Sequence, residues 1–110
     1  MTLVDGRTGD PQSDRVYAMI AGLTQKAGLP MPETNRLAGG RRVDCRWPRH
    51  ALTVELDSYA YHHTRHAWEQ DRRREREARA RGDEFRRYSW GDVAEEPRPM
   101  LGDLASLLGR

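Results

Sequence analysis

The hydrophobic and polar positions along this 110-residue chain switch period several times, and each switch marks an element. Val16, Tyr17, Ile20, Leu23 and Ala27 recur at helical spacing, with Ser13 or Asp14 as the cap and Gly28, Pro30 and Pro32 as the stop. Thr34 to Ala38 reads as a short strand and Gly39-Gly40 as a hairpin turn. From Arg41 to Trp47 the period is two: Val43, Cys45 and Trp47 face one way, Arg42, Asp44 and Arg46 the other. Pro48-Arg49-His50 breaks the run. Alternation resumes from Leu52 to Asp57, with Leu52, Val54 and Leu56 opposite Thr53, Glu55 and Asp57. Arg65 to Arg81 is a charged helix stopped by Gly82. Glu84 to Trp90 reads as a fourth strand, with Phe85 and Arg87 on one face and Arg86 and Tyr88 on the other. Pro97 to Leu108 closes the chain as an amphipathic helix carrying Met100, Leu101, Leu104, Leu107 and Leu108. The order α-β-β-β-α-β-α predicts an α/β fold, a central mixed sheet flanked by helices.

Length and composition narrow this picture. The chain has room for one compact domain, and residues 1–12 are so poor in apolar side chains that they read as a flexible N-terminal tail before a domain over 13–110. Leu, Ile, Val and Phe total 17, so the core is thin, yet a net charge of +2 argues against disorder. Eighteen of the 19 basic residues are arginines, Lys26 being the exception, and arginine's planar fork suits phosphate and carboxylate. The single Cys45 excludes an internal disulfide framework and a multi-cysteine zinc site, and suits a reducing compartment. No stretch approaches the roughly 20 apolar residues of a membrane span. The start, MTLVDGRTGDPQSD, lacks the basic-then-apolar run of a signal peptide, so a cytoplasmic protein without membrane contact is expected.

The candidate chemistry is acidic. A hairpin turning about the midpoint of residues 49 and 50 pairs residues whose numbers sum to 99, which sets Asp44 opposite Glu55 at about 5 Å between Cα atoms. Asp57 follows on the same face. Like charges opposed in a sheet need compensation. A divalent cation bound by hard oxygens, Mg²⁺ or Mn²⁺, provides it and would assist phosphodiester hydrolysis. Solvation on an exposed face with nearby arginines provides it too, and spacing leaves both readings open.

The segments AGLPMPETN (27–35), VD (43–44), VELDSYAYH (54–62), DRRRE (71–75) and RGDEFRRYSW (81–90) together resemble the bacterial domain family related to the very-short-patch-repair endonuclease, within the PD-(D/E)XK nuclease superfamily. The likeness covers roughly three quarters of the chain. It implies a restriction-endonuclease-like core and a metal-dependent DNA endonuclease with a DNA-repair connection. By the same resemblance Asp44 is the motif aspartate, Glu55 the second metal ligand, and Asp57 stands where many superfamily members carry a lysine. His62 is implied as a metal-water contact or general acid/base, Arg74 and Asp71 as part of the charged helix, and Arg87 as the arginine of the last core strand. Two departures accompany the likeness. Ser58 replaces a glycine, and the acid that relatives carry on the first helix is represented at most by Asp14.

His62, His63 and His66 do not make a zinc site on this reading, because strand-like neighbours point apart. The arginine helix carries i,i+4 pairs, Glu69–Arg73, Glu75–Arg79 and Glu77–Arg81, with Arg72 and Arg73 as phosphate contacts and Arg74 and Arg87 either contacting phosphate or holding the acids. Trp47, Trp68 and Trp90 read as core anchors, whereas Tyr59 and Tyr61 are either base-stacking residues or rim packing. DNA is the expected partner. The alternative is a catalytically silent module binding nucleic acid or a partner protein, or a homodimer that covers the weakly apolar side of the sheet.

Overall fold

The protein is described from a computed structural model covering residues 11–56 and 65–109, with the side chains of residues 11–14 and 67 outside that description. Its elements are α1 (Pro11–Lys26), β1 (Glu33–Ala38), β2 (Arg41–Trp47), β3 (Leu52–Leu56), α2 (Arg65–Ala80), β4 (Glu84–Tyr88) and α3 (Pro97–Leu107). The order is the one that periodicity predicts. The strands form a mixed sheet in the order β1-β2-β3-β4, antiparallel through β3, with β4 parallel to β3 across the α2 crossover.

Local chemistry explains the joints. Gly39 and Gly40 both have positive φ, 59° and 82°, the backbone that a two-residue hairpin needs between twisted strands. Pro48–His50 makes one 3-10 turn and Ala51, left-handed at φ 49°, releases the chain into β3. The β2–β3 ladder pairs Cys45 with Val54, Arg46 with Thr53 and Trp47 with Leu52, so every pair sums to 99 as expected. α1 begins at Pro11, two residues before Ser13, and proline is well suited to the first helical turn, where its missing N–H leaves no bond unmade. β4 ends at Tyr88, two residues before the expected Trp90. The reason is a reciprocal cap: the Ser89 amide donates to Asp92 Oδ2 at 2.9 Å, and the Asp92 amide donates to Ser89 Oγ at 3.1 Å. That cap turns the chain into a short π-helical segment, Gly91–Glu95, which leads to α3.

One face of the sheet carries the core. Cys45, Trp47, Leu52, Val54 and Tyr88 pack with Ile20 of α1, Val93 of the π segment, and Met100, Leu104 and Leu108 around α3. A thin apolar inventory suffices because several of these side chains are large and almost fully enclosed. Trp47, 2% exposed, also donates its indole N–H to the Pro30 carbonyl at 2.7 Å. The opposite face is covered by α2, whose Ala78 is fully buried. β3 is therefore enclosed on both sides, and Thr53 and Glu55 are buried as completely as Leu52 and Val54. Among the described residues, no helix is long and apolar enough to cross a membrane.

Candidate active site

Strand alternation fixes where the acids go. Cys45, Trp47, Leu52 and Val54 take the core face, so Asp44, Arg46, Thr53 and Glu55 point toward the α2 side. Carrying the ladder one step past Cys45–Val54 sets Asp44 across from Glu55. At that step the Leu56 amide donates to Asp44 Oδ2 at 2.7 Å. The Tyr17 hydroxyl of α1 donates to Asp44 Oδ1 at 3.0 Å. Two donors from two elements thus orient one carboxylate, which is 3% exposed.

Glu55 is 2% exposed. Arg74 of α2 reaches its Oε2 through Nη1 at 3.3 Å. One helical turn earlier, Asp71 meets Arg87 of β4 at 2.9 Å, and Arg87 is the residue paired with Glu55 in the parallel ladder. Arg74 and Arg87 therefore tie α2 to the sheet at Glu55 and at its β4 neighbour. Burial corrects the reading in which these acids are solvated on an open face; they are enclosed between sheet and helix. Their negative field is felt through the sheet: burial first, then Asp44 and Glu55, hold the Cys45 thiol well above its ordinary pKa.

A second carboxylate cluster lies farther along the same side. Asp83, 3% exposed, accepts from Arg46 Nε at 2.7 Å and Nη2 at 2.9 Å, and from Thr53 Oγ1 at 2.7 Å. Arg81 approaches the same carboxylate at 3.7 Å and donates to Thr53 Oγ1 at 3.1 Å. The hydrogen-bonded Arg46 guanidinium, assisted by Thr53, holds the Asp83 carboxyl below the usual range.

Asp57, Tyr59, Tyr61, His62 and His63 lie outside the described residues, as does the side chain of Asp14. Arg72 and Arg73 lie on the exposed side of α2. Trp68 is not a core anchor: it is 60% exposed, and Arg72 stacks over its ring at 5.2 Å. Helical phase explains the correction, because Asp71, Arg74 and Ala78 take the inward positions and Trp68 falls on the flank. Trp90 is half-buried. Of the expected helix pairs, Glu75–Arg79 forms at 3.1 Å. Glu77 instead binds Arg41 with two bonds of 2.7 and 2.8 Å, Arg81 turns to Asp83, and Glu69 pairs with Arg65. Of these, Arg41–Glu77 is a tertiary pair across 36 residues, whereas Arg65–Glu69 and Arg81–Asp83 are local.

Sequence reasoning passed over Tyr17. Its position on the apolar stripe marked it as core, which it is at 8% exposure, but a buried phenol also needs a hydrogen-bond partner. That requirement was the available signal. Among the described residues, no group of three or more His, Cys, Asp or Glu side chains is disposed to hold a metal ion. The two carboxylates nevertheless fit a hard cation chemically, being buried oxygen donors from neighbouring strands.

The chain matches no protein-family model and no curated protein sequence. Among solved structures, it is similar to the catalytic domain of the homing endonuclease I-Bth0305I, with a TM-score of 0.66 at 10% identity. The match covers 84% of this chain and 91% of that domain. This chain therefore shares the fold of an endonuclease catalytic domain.

Proposed function

We propose that the protein is a metal-dependent nuclease of the very-short-patch-repair-like kind that hydrolyses DNA phosphodiester bonds. The observation that carries the reading is the enclosed acidic pair, Asp44 and Glu55, where β2 and β3 part beneath α2. The shared fold with an endonuclease catalytic domain supports it independently.

On this reading Asp44 and Glu55 hold Mg²⁺ or Mn²⁺. Such an ion would supply charge stabilisation at a phosphoryl oxygen and would lower the pKa of bound water. The chain's own residues do the positioning. Tyr17 and the Leu56 amide fix the plane of the Asp44 carboxylate. Arg74 holds Glu55 and, turned outward, contacts a phosphate; Arg87, tied to Asp71, keeps α2 at its distance from the sheet. Asp57 and His62 complete the set in this proposal, His62 positioning or deprotonating water at a pKa suited to neutral pH.

A second reading has one observation in its favour. Arg74 already sets a positive charge against Glu55, as a catalytically silent descendant would require once its metal was lost. Incubation of the purified protein with linear, nicked and mismatched DNA, with Mg²⁺ or Mn²⁺, separates the two. Nuclease function predicts metal-dependent cleavage abolished by Asp44→Ala and by Glu55→Ala. Cleavage indifferent to both substitutions, or none with any substrate and metal, rejects it.

A further inference from the structure

Beside the acidic pair a groove of about 720 Å³ opens between the β1–β2 hairpin and the C-terminal half of α2. Arg41, Arg42, Arg74 and Arg81 line it, with Glu77 as the one acid of the lining and Leu37 at the rim. The lining carries four guanidinium groups and one carboxylate, and with the paired Glu55 and Asp83 behind it four cations meet three anions, so the wall keeps a net positive charge. The acids that neutralise it from behind, Glu55 and Asp83, are 2% and 3% exposed, so the carboxylates form an inner layer and the guanidinium groups an outer one. Packing fixes the shape. Gly39 brings the hairpin backbone so near α2 that a Cβ there would stand 3.2 Å from Arg81 Cδ. Arg41 is clamped to Glu77 by two hydrogen bonds, and Arg42 donates to the Asn35 carbonyl at 2.7 Å.

We propose that this groove is a track for the phosphates of a nucleic-acid strand, leading past Arg81 and Arg41 to the acidic pair through Arg74, which belongs to both. The choice of a phosphodiester chain over another polyanion rests on the nuclease reading; the positive groove does not. Glu77 is the internal counter-ion of the track. It holds Arg41 in place and offsets one cation, so it sets the affinity for phosphate below what the arginines alone would give. Nucleic acid held this way is gripped by its backbone and not read by sequence.

The test is equilibrium binding of labelled duplex and single-stranded DNA to the full chain in EDTA, across a series of salt concentrations, where no metal-dependent cleavage intervenes. Glu77→Gln, at a half-exposed position, is expected to tighten binding about three- to tenfold and to steepen the salt dependence by about one counter-ion's worth. Leu37→Glu changes a 64% exposed side chain whose cross-strand partner is Arg42. It is expected to weaken binding by a similar factor, with unchanged melting temperature. Unaltered affinity in both variants overturns the proposal, as does displacement of the DNA by polyglutamate at equal charge, which would make the groove a site for acidic protein. Groove variants without effect, beside cleavage that still depends on Glu55, sink the track alone. Groove variants behaving as stated, beside cleavage indifferent to Glu55, sink the nuclease reading alone.

Discussion

Glu55 and Asp83 are bound to the same side of one sheet, are equally hidden from solvent, and each faces arginine, yet they are held differently. Asp83 is gripped by a two-pronged Arg46, by the Thr53 hydroxyl and by Arg81 at the rim, at distances down to 2.7 Å. Glu55 meets Arg74 at 3.3 Å, and beside it Asp44 is oriented by a phenol and an amide. A carboxylate compensated like Asp83 ties β2, β3 and the entry to β4 together, and its removal strands a guanidinium. Asp44 and Glu55, set across one ladder, repel each other, and in the proposed function a cation offsets that repulsion. The first cluster is a fastening, and the second is the site proposed for chemistry.

Substitutions sharpen that contrast. The largest effect falls on cleavage: Glu55→Gln should lower the metal-dependent rate at least about 1,000-fold, since several kcal/mol of charge stabilisation depend on the ion. In the same variant, stability to urea should change by less than about 1 kcal/mol, because losing the 3.3 Å ion pair with Arg74 is offset by losing the repulsion from Asp44. Asp83→Ala should do the reverse. It should cost about 3 kcal/mol of stability, read from urea or thermal unfolding, while leaving metal affinity intact in the folded fraction.

The pH dependence of Asp83 has a definite sign. Its carboxyl is held below its ordinary value, so its contribution is complete above about pH 3.9 and disappears as pH falls through the lowered folded value. The stability gap between the wild type and Asp83→Asn should therefore close on acidification below that range. A gap that persists there, or that opens instead near neutrality, would contradict the assigned cause.

Smaller effects follow. Tyr17→Phe should cost about 1.5–2 kcal/mol through the lost bond to a buried carboxylate, and should weaken Mn²⁺ binding by loosening Asp44, as calorimetry would read. Glu75→Gln breaks an exposed i,i+4 pair on α2 and should shift stability by less than about 0.5 kcal/mol. Cys45, buried and raised in pKa, should resist thiol reagents in the native protein and react once unfolded.

Much of the architecture was legible in sequence because each element announces its own period. Strand alternation gave β2 to the residue, the hairpin arithmetic gave the β2–β3 register, and Gly39-Gly40 gave the turn. That register also put Asp44 and Glu55 together. What was illegible depends on long-range neighbours. The Ser89–Asp92 cap that ends β4 and the Arg81–Asp83 contact are local and could have been read; the partner of Glu77 could not, because Arg41 on the hairpin takes it from Arg81 one helical turn away. The flanking position of Trp68 likewise follows from which α2 residues the sheet's charges select. Burial of the acids was missed for the same reason: alternation gives the face, and what covers that face is decided by the α2 crossover.

The most direct measurement is a crystal of the protein soaked in Mn²⁺, with the ion located by its anomalous scattering. One peak between the Asp44 and Glu55 carboxylates, absent in a Glu55→Gln crystal, is the predicted result. Saturating Mn²⁺ that leaves that position without a peak, with Glu55 still on Arg74, would contradict the account.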